Sequence, residues 1–213
     1  MTPLLILLPG HGWRPHWDPG AVSGRAIEAH LCRAYPALVG EGVRAEGWQV
    51  ETRDTGDYPD RDVAAKAARV AAGSPLTVIG LCHVNSCAGR PSLVGHLEES
   101  HAGGRLALIL AEHLSDRLPD RMADPTRPLA YLRAWRDLPA DGPEAWKRNG
   151  RRLQEPSYNG SGPKGCGILL EPWTVQQAAD LDGETLVDLL AATAGAIVAG
   201  LVEWEAEVAN ATR

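Results

Sequence analysis

Three short apolar runs in the chain each lead to a titratable side chain. They lie within residues 4–11, 76–83 and 167–171, and the first passes through a Pro-Gly turn. Apolar runs of this length indicate buried strands, and in open α/β sheets ligands bind outside the carboxyl ends of the strands. The pattern therefore predicts three strands whose ends meet at one site. The residues at those ends are His11, His83 and Glu171.

Segments with helical periodicity lie between these strands in the sequence. Helices are predicted at residues 26–46, 60–72, 103–118, 174–179 and 184–208. Pro36 lies inside the first helix and predicts a kink there or a division into two pieces. Additional strands are predicted at residues 48–53 and 92–97. Strands that alternate with helices indicate an α/β domain with three layers.

The length of 213 residues and a hydrophobic content of 44% fit one domain with a single core. We therefore predict one domain over residues 1–213. Residues 119–166 are the exception, because little regular structure can be assigned to them. Eight basic residues fall between Arg121 and Arg152, against fewer acidic ones, and tryptophans and tyrosines accompany them. This basic and aromatic insertion is either a solvated excursion or a wall of a substrate cleft.

The net charge and the hydropathy pattern indicate which kinds of binding partner and which cellular compartment to expect. The formal net charge of −6 does not favour nucleic-acid binding as the main task. The apolar run Leu4–Leu8 is too short for a secretory signal and lacks basic residues before it, and we predict no membrane-spanning segment. We therefore expect synthesis in the cytoplasm without a signal peptide, no membrane partner, and a monomer.

The four cysteines, at positions 32, 82, 87 and 166, give no recognisable disulfide or zinc-finger framework. We interpret them as buried free thiols that act as small apolar residues. A metal role for Cys82 or Cys87, which flank His83, stays open as the alternative.

The histidines at two of the predicted strand ends suggest a hydrolytic zinc site. Such a site needs three protein ligands and an open position for water, and two histidines with one carboxylate are a common set. Glu28, at the start of the first predicted helix, is well placed to complete the set with His11 and His83. Glu171 is the candidate for a second carboxylate that moves the proton from water to a leaving amine. Alternatively, the histidines are structural and Glu28 is a surface residue.

Six segments, in order, resemble motifs of the zinc-dependent N-acetylmuramoyl-L-alanine amidases of the amidase type 3 family. They are Pro9–Gly12 with Asp18–Val22, Glu28 after Gly24, Val50–Arg53, Arg61 with the alanines that follow, Leu81–Ser86, and Leu170–Pro172. The resemblance runs from about residue 4 to residue 173 and leaves mainly residues 119–166 unexplained. Each motif is weak alone, but six in the right order are a strong signal.

The resemblance implies a function and a set of site residues. His11, Glu28 and His83 correspond to the zinc ligands of the family, and Glu171 corresponds to its general base and acid. The implied fold is a six-stranded, mixed, mostly parallel sheet flanked by helices. The implied reaction cleaves the amide between the lactyl group of N-acetylmuramic acid and L-alanine, so the partner is peptidoglycan or a muropeptide.

The sequence also departs from the family pattern. The first loop carries extra residues, Trp13–Trp17, and Pro172-Trp173 replaces the usual Gly-Phe. His16, within the extra residues, is either a further metal ligand or a histidine near the cleft rim. The remaining histidines are interpreted as structural, surface or packing residues, at positions 30, 96, 101 and 113.

Three functions are compatible with these observations. The first is a peptidoglycan amidase, either an endolysin of a phage or prophage that reaches the cell wall after release, or an enzyme of peptidoglycan recycling. The second is a zinc amidohydrolase that acts on small soluble muropeptides or N-acylated amino acids. The third is a wall-binding protein without turnover, which would not need the Glu171 carboxylate.

Overall fold

A mixed sheet of six strands forms the centre of the described part of the chain. The structure, a computed structural model, describes residues 2–14, 16–53, 76–85, 93–96, 101–118, 132–134 and 165–211. Its strands are β1 (Leu4–Pro9), β2 (Gly12–Arg14), β3 (His16–Asp18), β4 (Val22–Ser23), β5 (Ala26–Ile27), β6 (Gln49–Thr52), β7 (Thr77–Cys82), β8 (Leu93–His96), β9 (Leu132–Ala134) and β10 (Gly165–Glu171). Its helices are α1 (Glu28–Ala45), α2 (His101–Arg117), α3 (Val175–Ala179) and α4 (Gly183–Ala211).

The strand order is β6-β1-β7-β10-β8-β9. The first four strands are mutually parallel, β8 runs antiparallel to β10, and β9 runs parallel to β8. Every residue of β1 and β7 is buried, on both faces of the sheet, which is the pattern of a parallel sheet covered on both sides. The predicted mixed, mostly parallel α/β sheet of about six strands is confirmed.

Helix α1 runs without a break through Pro36, so of the two expected alternatives, a kink or two pieces, the second is wrong. Proline inside a helix costs about 3 kcal/mol, because it removes one hydrogen bond and crowds the preceding turn. Tyr35, Val39 and Val43 of the same helix are fully buried, and burial of each such side chain contributes roughly 1.5–3 kcal/mol. Core packing on both sides of Pro36 therefore outweighs its local cost.

The stretch between β1 and α1 is more regular than the predicted loop. Strands β2 and β3 form a hairpin, and β4 pairs with β5, so the helix begins two residues later than predicted. The first two backbone N–H groups of α1 donate to the carbonyls of Ala21 and Pro19, at 2.9 and 3.0 Å. Because the first turn of a helix has no internal acceptors for these groups, the bonds fasten the loop to the start of α1.

Helix α4 corrects another expectation. By length and composition its 29 residues could cross a membrane, so the chain does contain a segment long enough for a span, which the sequence analysis did not identify. Its buried side chains, Ile197, Leu201 and Trp204 among them, belong to the same core as α1 and the sheet. Gly200 packs so closely on Leu110 of α2 that a Cβ there would approach its side chain to 2.8 Å. In this structure, α4 is a core helix that joins α1 and α2.

Several predictions fall on residues outside the described part of the chain. The helix at residues 60–72, Cys87 and most of the insertion at 119–166 are in this group, as are the side chains of His16, His96, His101 and Cys166. Strand β9 lies within the insertion and extends the sheet beside β8. The single-domain assignment and the role of the insertion therefore remain predictions.

Candidate metal centre

The ends of β1 and β7 place two histidines side by side. The two strands are parallel neighbours with Pro9 opposite Cys82, and the backbone N–H of Gly10 donates to the Cys82 carbonyl at 2.8 Å. The rings of His11 and His83 lie 5.0 Å apart, nearly perpendicular to each other. A Cβ on residue 10 would come within 2.3 Å of the His83 ring, so the close approach requires glycine at this position.

Glu28 completes the group from the first residue of α1. Its Oε1 lies 3.2 Å from His11 Nε2 and 3.1 Å from His83 Nδ1. Its Oε2 accepts a hydrogen bond from the backbone N–H of Ala21 at 2.9 Å. One potential ligand atom from each of these three side chains lies within 4.8 Å of the other two. The three residues that the sequence singled out as metal ligands are thus brought together.

The backbone at His11 adopts an unusual conformation that other residues hold in place. Its φ of 57° is in the left-handed region, which residues other than glycine rarely adopt. The Arg33 guanidinium donates to the His11 carbonyl at 2.7 Å and to the Ala29 carbonyl, also at 2.7 Å. Arg33 therefore ties the turn that presents His11 to the first turns of α1.

The charges in this group favour a protonated histidine beside a carboxylate when no metal is bound. Burial by itself would lower the pKa of His11, but the carboxylates of Glu28 and Asp18 outweigh this effect and raise it to about 9. Burial would likewise raise the pKa of Glu28, but His11 and His83 hold it well below its ordinary value. A divalent cation would compensate the negative charge of the Glu28 carboxylate, as the imidazoles do when no metal is bound.

Glu171 ends β10, the strand on the other side of β7. The backbone N–H of His83 donates to the carbonyl of Leu170 at 2.8 Å, so Glu171 directly follows a residue bound to His83. Its side chain is 1% exposed, and its Oε2 has no hydrogen-bond partner among the described residues. Burial and the nearby Glu28 carboxylate raise the pKa of Glu171 well above its ordinary value, against a smaller opposing effect of His11.

The donor set fits a zinc ion. Zinc binds imidazole nitrogen and carboxylate oxygen at about 2.0–2.2 Å, and hydrolytic sites have three protein ligands and one open position. One carboxylate oxygen and two imidazole nitrogens already converge here from three elements. Among the described residues, no cysteine belongs to this group. The assignment of these residues as zinc ligands remains a prediction.

The other described histidines and cysteines lie outside the centre. His30 is exposed and its ring lies 5.6 Å from that of Trp17, while His113 Nε2 lies 2.8 Å from a Glu203 oxygen. These positions agree with surface or packing roles. Cys32 and Cys82 are free and buried, as predicted, and burial raises the pKa of the Cys82 thiol to about 12.

Sequence reasoning missed two residues that support the centre. Arg33 reaches His11 across 22 positions of the chain, and no sequence pattern indicates that contact. Asp18 was recognised only as part of a motif, yet its Oδ2 lies 2.8 Å from His11 Nδ1. A carboxylate within a few residues of a proposed histidine ligand is a signal that could have identified it.

Solved structures share this fold, although the two sequence comparisons give no match. No protein-family model matches the chain, and no curated protein matches it. The structure superposes on Cwp6 from Clostridium difficile with a TM-score of 0.64 and 18% identity, over 95% of this chain and 29% of that one. It superposes on N-acetylmuramoyl-L-alanine amidase AmiC2 of Nostoc punctiforme with a TM-score of 0.61 and 19% identity, over 95% and 96% of the two chains.

The catalytic domain of the CD27L endolysin, which targets Clostridia difficile, gives a TM-score of 0.55 at 16% identity over 95% of this chain and 98% of that domain. The chain thus spans less than a third of Cwp6, but nearly all of the endolysin domain and of AmiC2. Identities below a fifth establish the architecture rather than the activity. The chain therefore has the fold of solved N-acetylmuramoyl-L-alanine amidases.

Proposed function

We propose that this protein is a zinc-dependent hydrolase that cleaves the amide between N-acetylmuramic acid and L-alanine in peptidoglycan. The observation that carries the proposal is the convergence of His11, Glu28 and His83 at the carboxyl edge of the sheet. The buried Glu171 carboxyl group ends a strand at the same edge. The amidase names of the structural neighbours agree with the family that the sequence motifs resemble.

In this proposal three side chains hold the metal and one moves protons. His11, Glu28 and His83 would bind zinc and leave one position open. Zinc held there would lower the pKa of a water molecule from about 15.7 to about 7 and would polarise the carbonyl group of the substrate. Glu28 Oε1 contacts both histidines, and the hydrogen bond that Oε2 accepts from the backbone N–H of Ala21 holds the carboxylate in that orientation.

Glu171 would act as the general base and then as the general acid. Within the part of the chain that the structure describes, its buried Oε2 has no partner, so it would be available to accept a proton from the attacking water. The water oxygen bonds to the lactyl carbonyl carbon, the carbon–nitrogen bond breaks, and Glu171 passes the proton to the leaving nitrogen of L-alanine. The raised pKa of Glu171 suits a group that must both accept and donate a proton.

We further propose a lytic role of the endolysin type, in which the protein is made in the cytoplasm and acts on the cell wall after release. The shared fold with the catalytic domain of an endolysin supports this role. The alternative is a hydrolase of small soluble muropeptides or N-acylated amino acids. Both alternatives use the same four side chains, so the size of the accepted substrate separates them.

The test measures whether the protein clears purified sacculi. Turbidity reports the clearance, and labelling detects the newly freed amino groups of L-alanine. We expect clearance that a chelator abolishes and added zinc restores. Glu171→Gln should be inactive, and Glu41→Gln, on the exposed face of α1, serves as the matched control. Cleavage of soluble muropeptides without clearance would favour the alternative. A zinc-loaded protein that cleaves neither substrate would overturn the proposal.

A further inference from the structure

We propose that Asp18 is a positioning residue for His11, and that it selects the ring form in which Nδ1 carries the proton and Nε2 is free to bind metal. The inference rests on the metal site proposed above. It adds a role for a residue that is neither a ligand nor the proton carrier. Three features of the structure support it: the partners of the two ring nitrogens, the attachment of Asp18 itself, and the hairpin that presents it.

The two ring nitrogens of His11 have different partners on opposite sides. Nδ1 lies 2.8 Å from Asp18 Oδ2, and Nε2 lies 3.2 Å from Glu28 Oε1 within the candidate metal centre. A carboxylate can only accept a hydrogen bond, so the contact with Asp18 requires the proton on Nδ1. In a neutral imidazole this leaves the Nε2 lone pair directed at the metal position.

Asp18 is itself held by its second oxygen. Oδ1 accepts a hydrogen bond from the backbone N–H of Gly20 at 2.9 Å. Gly20 has a φ of 66°, and a Cβ there would come within 2.7 Å of both Glu28 Oε2 and the His11 ring. The turn at residues 18–20 therefore packs directly on two of the proposed ligands, and both carboxylate oxygens of Asp18 have defined partners.

The β2–β3 hairpin explains how the extra residues of the first loop are accommodated. In its register Gly12 lies opposite Asp18. After His11 the chain forms the hairpin, which places Asp18 beside Gly12, the residue that follows His11. The described residues of the insertion pair with each other in this hairpin, and the contact between Asp18 and His11 is retained.

The chemistry makes Asn a poor substitute for Asp at position 18, although the two are the same size. An Asn amide has one oxygen and one NH₂ group. If its oxygen faces Gly20, its NH₂ group faces Nδ1 and favours the wrong tautomer of His11. If its oxygen faces Nδ1, its NH₂ group meets the backbone N–H of Gly20. Loss of such a partner of a metal-binding histidine weakens metal binding by about 10- to 100-fold.

The experiment measures zinc affinity of the full chain by competition with a chromophoric chelator, so it does not depend on turnover. We expect Asp18→Asn and Asp18→Ala to bind zinc about 10- to 100-fold more weakly than the wild-type protein. Asp188→Asn is the matched control, because Asp188 is exposed on α4. This substitution changes the net charge by the same amount as Asp18→Asn. Its affinity should stay within about twofold of wild type. Circular dichroism of each metal-free variant identifies those that fold.

A second readout separates tautomer selection from general support of the loop. In zinc-loaded wild-type protein, nitrogen NMR of His11 should show Nδ1 protonated and Nε2 coordinated, and folded Asp18→Asn should lose the protected Nδ1 proton. Folded Asp18 variants with wild-type affinity, or zinc bound through Nδ1 of His11, would overturn this inference alone. A wild-type chain that binds no zinc would overturn the metal site and this inference together.

Discussion

Glu28 Oε1 lies 3.1 Å from His83 Nδ1 although 55 positions of the chain separate the two residues. One residue begins α1 and the other follows the end of β7. The same oxygen also lies 3.2 Å from His11 Nε2. A buried carboxylate shared between two imidazoles is costly unless a positive charge accompanies it, and a proton or a metal ion can provide that charge.

Removal of one imidazole should reduce the bound metal. We expect His11→Ala and His83→Ala each to lower the zinc content well below the wild-type value, because each leaves two of three protein ligands. Metal analysis after gel filtration measures this directly. His113→Ala is the control, since its ring contacts Glu203 on the surface, 2.8 Å away. Wild-type zinc content in either ligand variant would show that the ligand set is wrong.

Removal of the Glu171 carboxylate should abolish turnover and leave the metal in place. General acid–base catalysis contributes about 10²- to 10⁴-fold, so Glu171→Ala and Glu171→Gln should lose at least about a hundredfold in rate. Gln keeps the size of the side chain and removes its ability to exchange a proton, so the melting temperature of Glu171→Gln shows whether a loss of rate is a loss of chemistry or of folding. Activity retained in both variants would exclude Glu171 as the base.

Zinc binding should strengthen as the pH rises from 7 to 9. Without metal, His11 keeps a proton up to a pKa of about 9, and zinc must displace that proton from the ring. The apparent affinity should therefore increase by about tenfold per pH unit in this interval.

The free energy of unfolding of the metal-free protein should fall as the pH rises from 7 to 9. The pKa of His11 rises from 6.5 to about 9 on folding, so its contribution is complete below pH 6.5 and is lost as the pH passes through 9. The stabilisation that zinc provides, measured as the difference in melting temperature, should thus grow with pH. A constant difference between pH 7 and 9 would contradict the pairing of His11 with Glu28 and Asp18.

Gly10→Ala should damage the site although it replaces none of the proposed ligands. Its Cβ would lie 2.3 Å from the His83 ring, so the ring or the end of β1 must move. We expect at least about a tenfold loss of zinc affinity, as for other changes that displace a histidine ligand. Gly183→Ala is the control, because a Cβ at that position would have no neighbour within 4 Å among the residues that the structure describes. Equal affinities for the two variants would show that the close approach is unimportant.

Local sequence was sufficient for most of the architecture. Strands β1 and β7 were predicted from uninterrupted apolar runs, which are typical of strands buried on both faces of a sheet. The structure buries every residue of both strands. The same runs predict that His11 and His83 are neighbours, since parallel strands end at one edge of a sheet. Glu28 was a weaker inference from spacing, and it was the family resemblance that singled it out.

Other features depend on contacts between distant parts of the chain, which no local pattern records. Pro36 marks a break by propensity, yet α1 continues because its flanking residues are buried in the core. Helix α4 matches a membrane span by composition, yet it packs between α1 and α2. The composition of a segment records what it can bury, but its neighbours determine where it is buried.

The support of the metal centre belongs to this second group. Arg33 binds the His11 carbonyl, and Asp18 binds its ring. Residue types and strand ends were enough to name His11 and His83, because chemistry restricts which side chains can bind zinc, and the family resemblance added Glu28. The groups that orient those ligands are ordinary polar residues, and their hydrogen bonds exist only after the hairpin and α1 have packed beside the sheet.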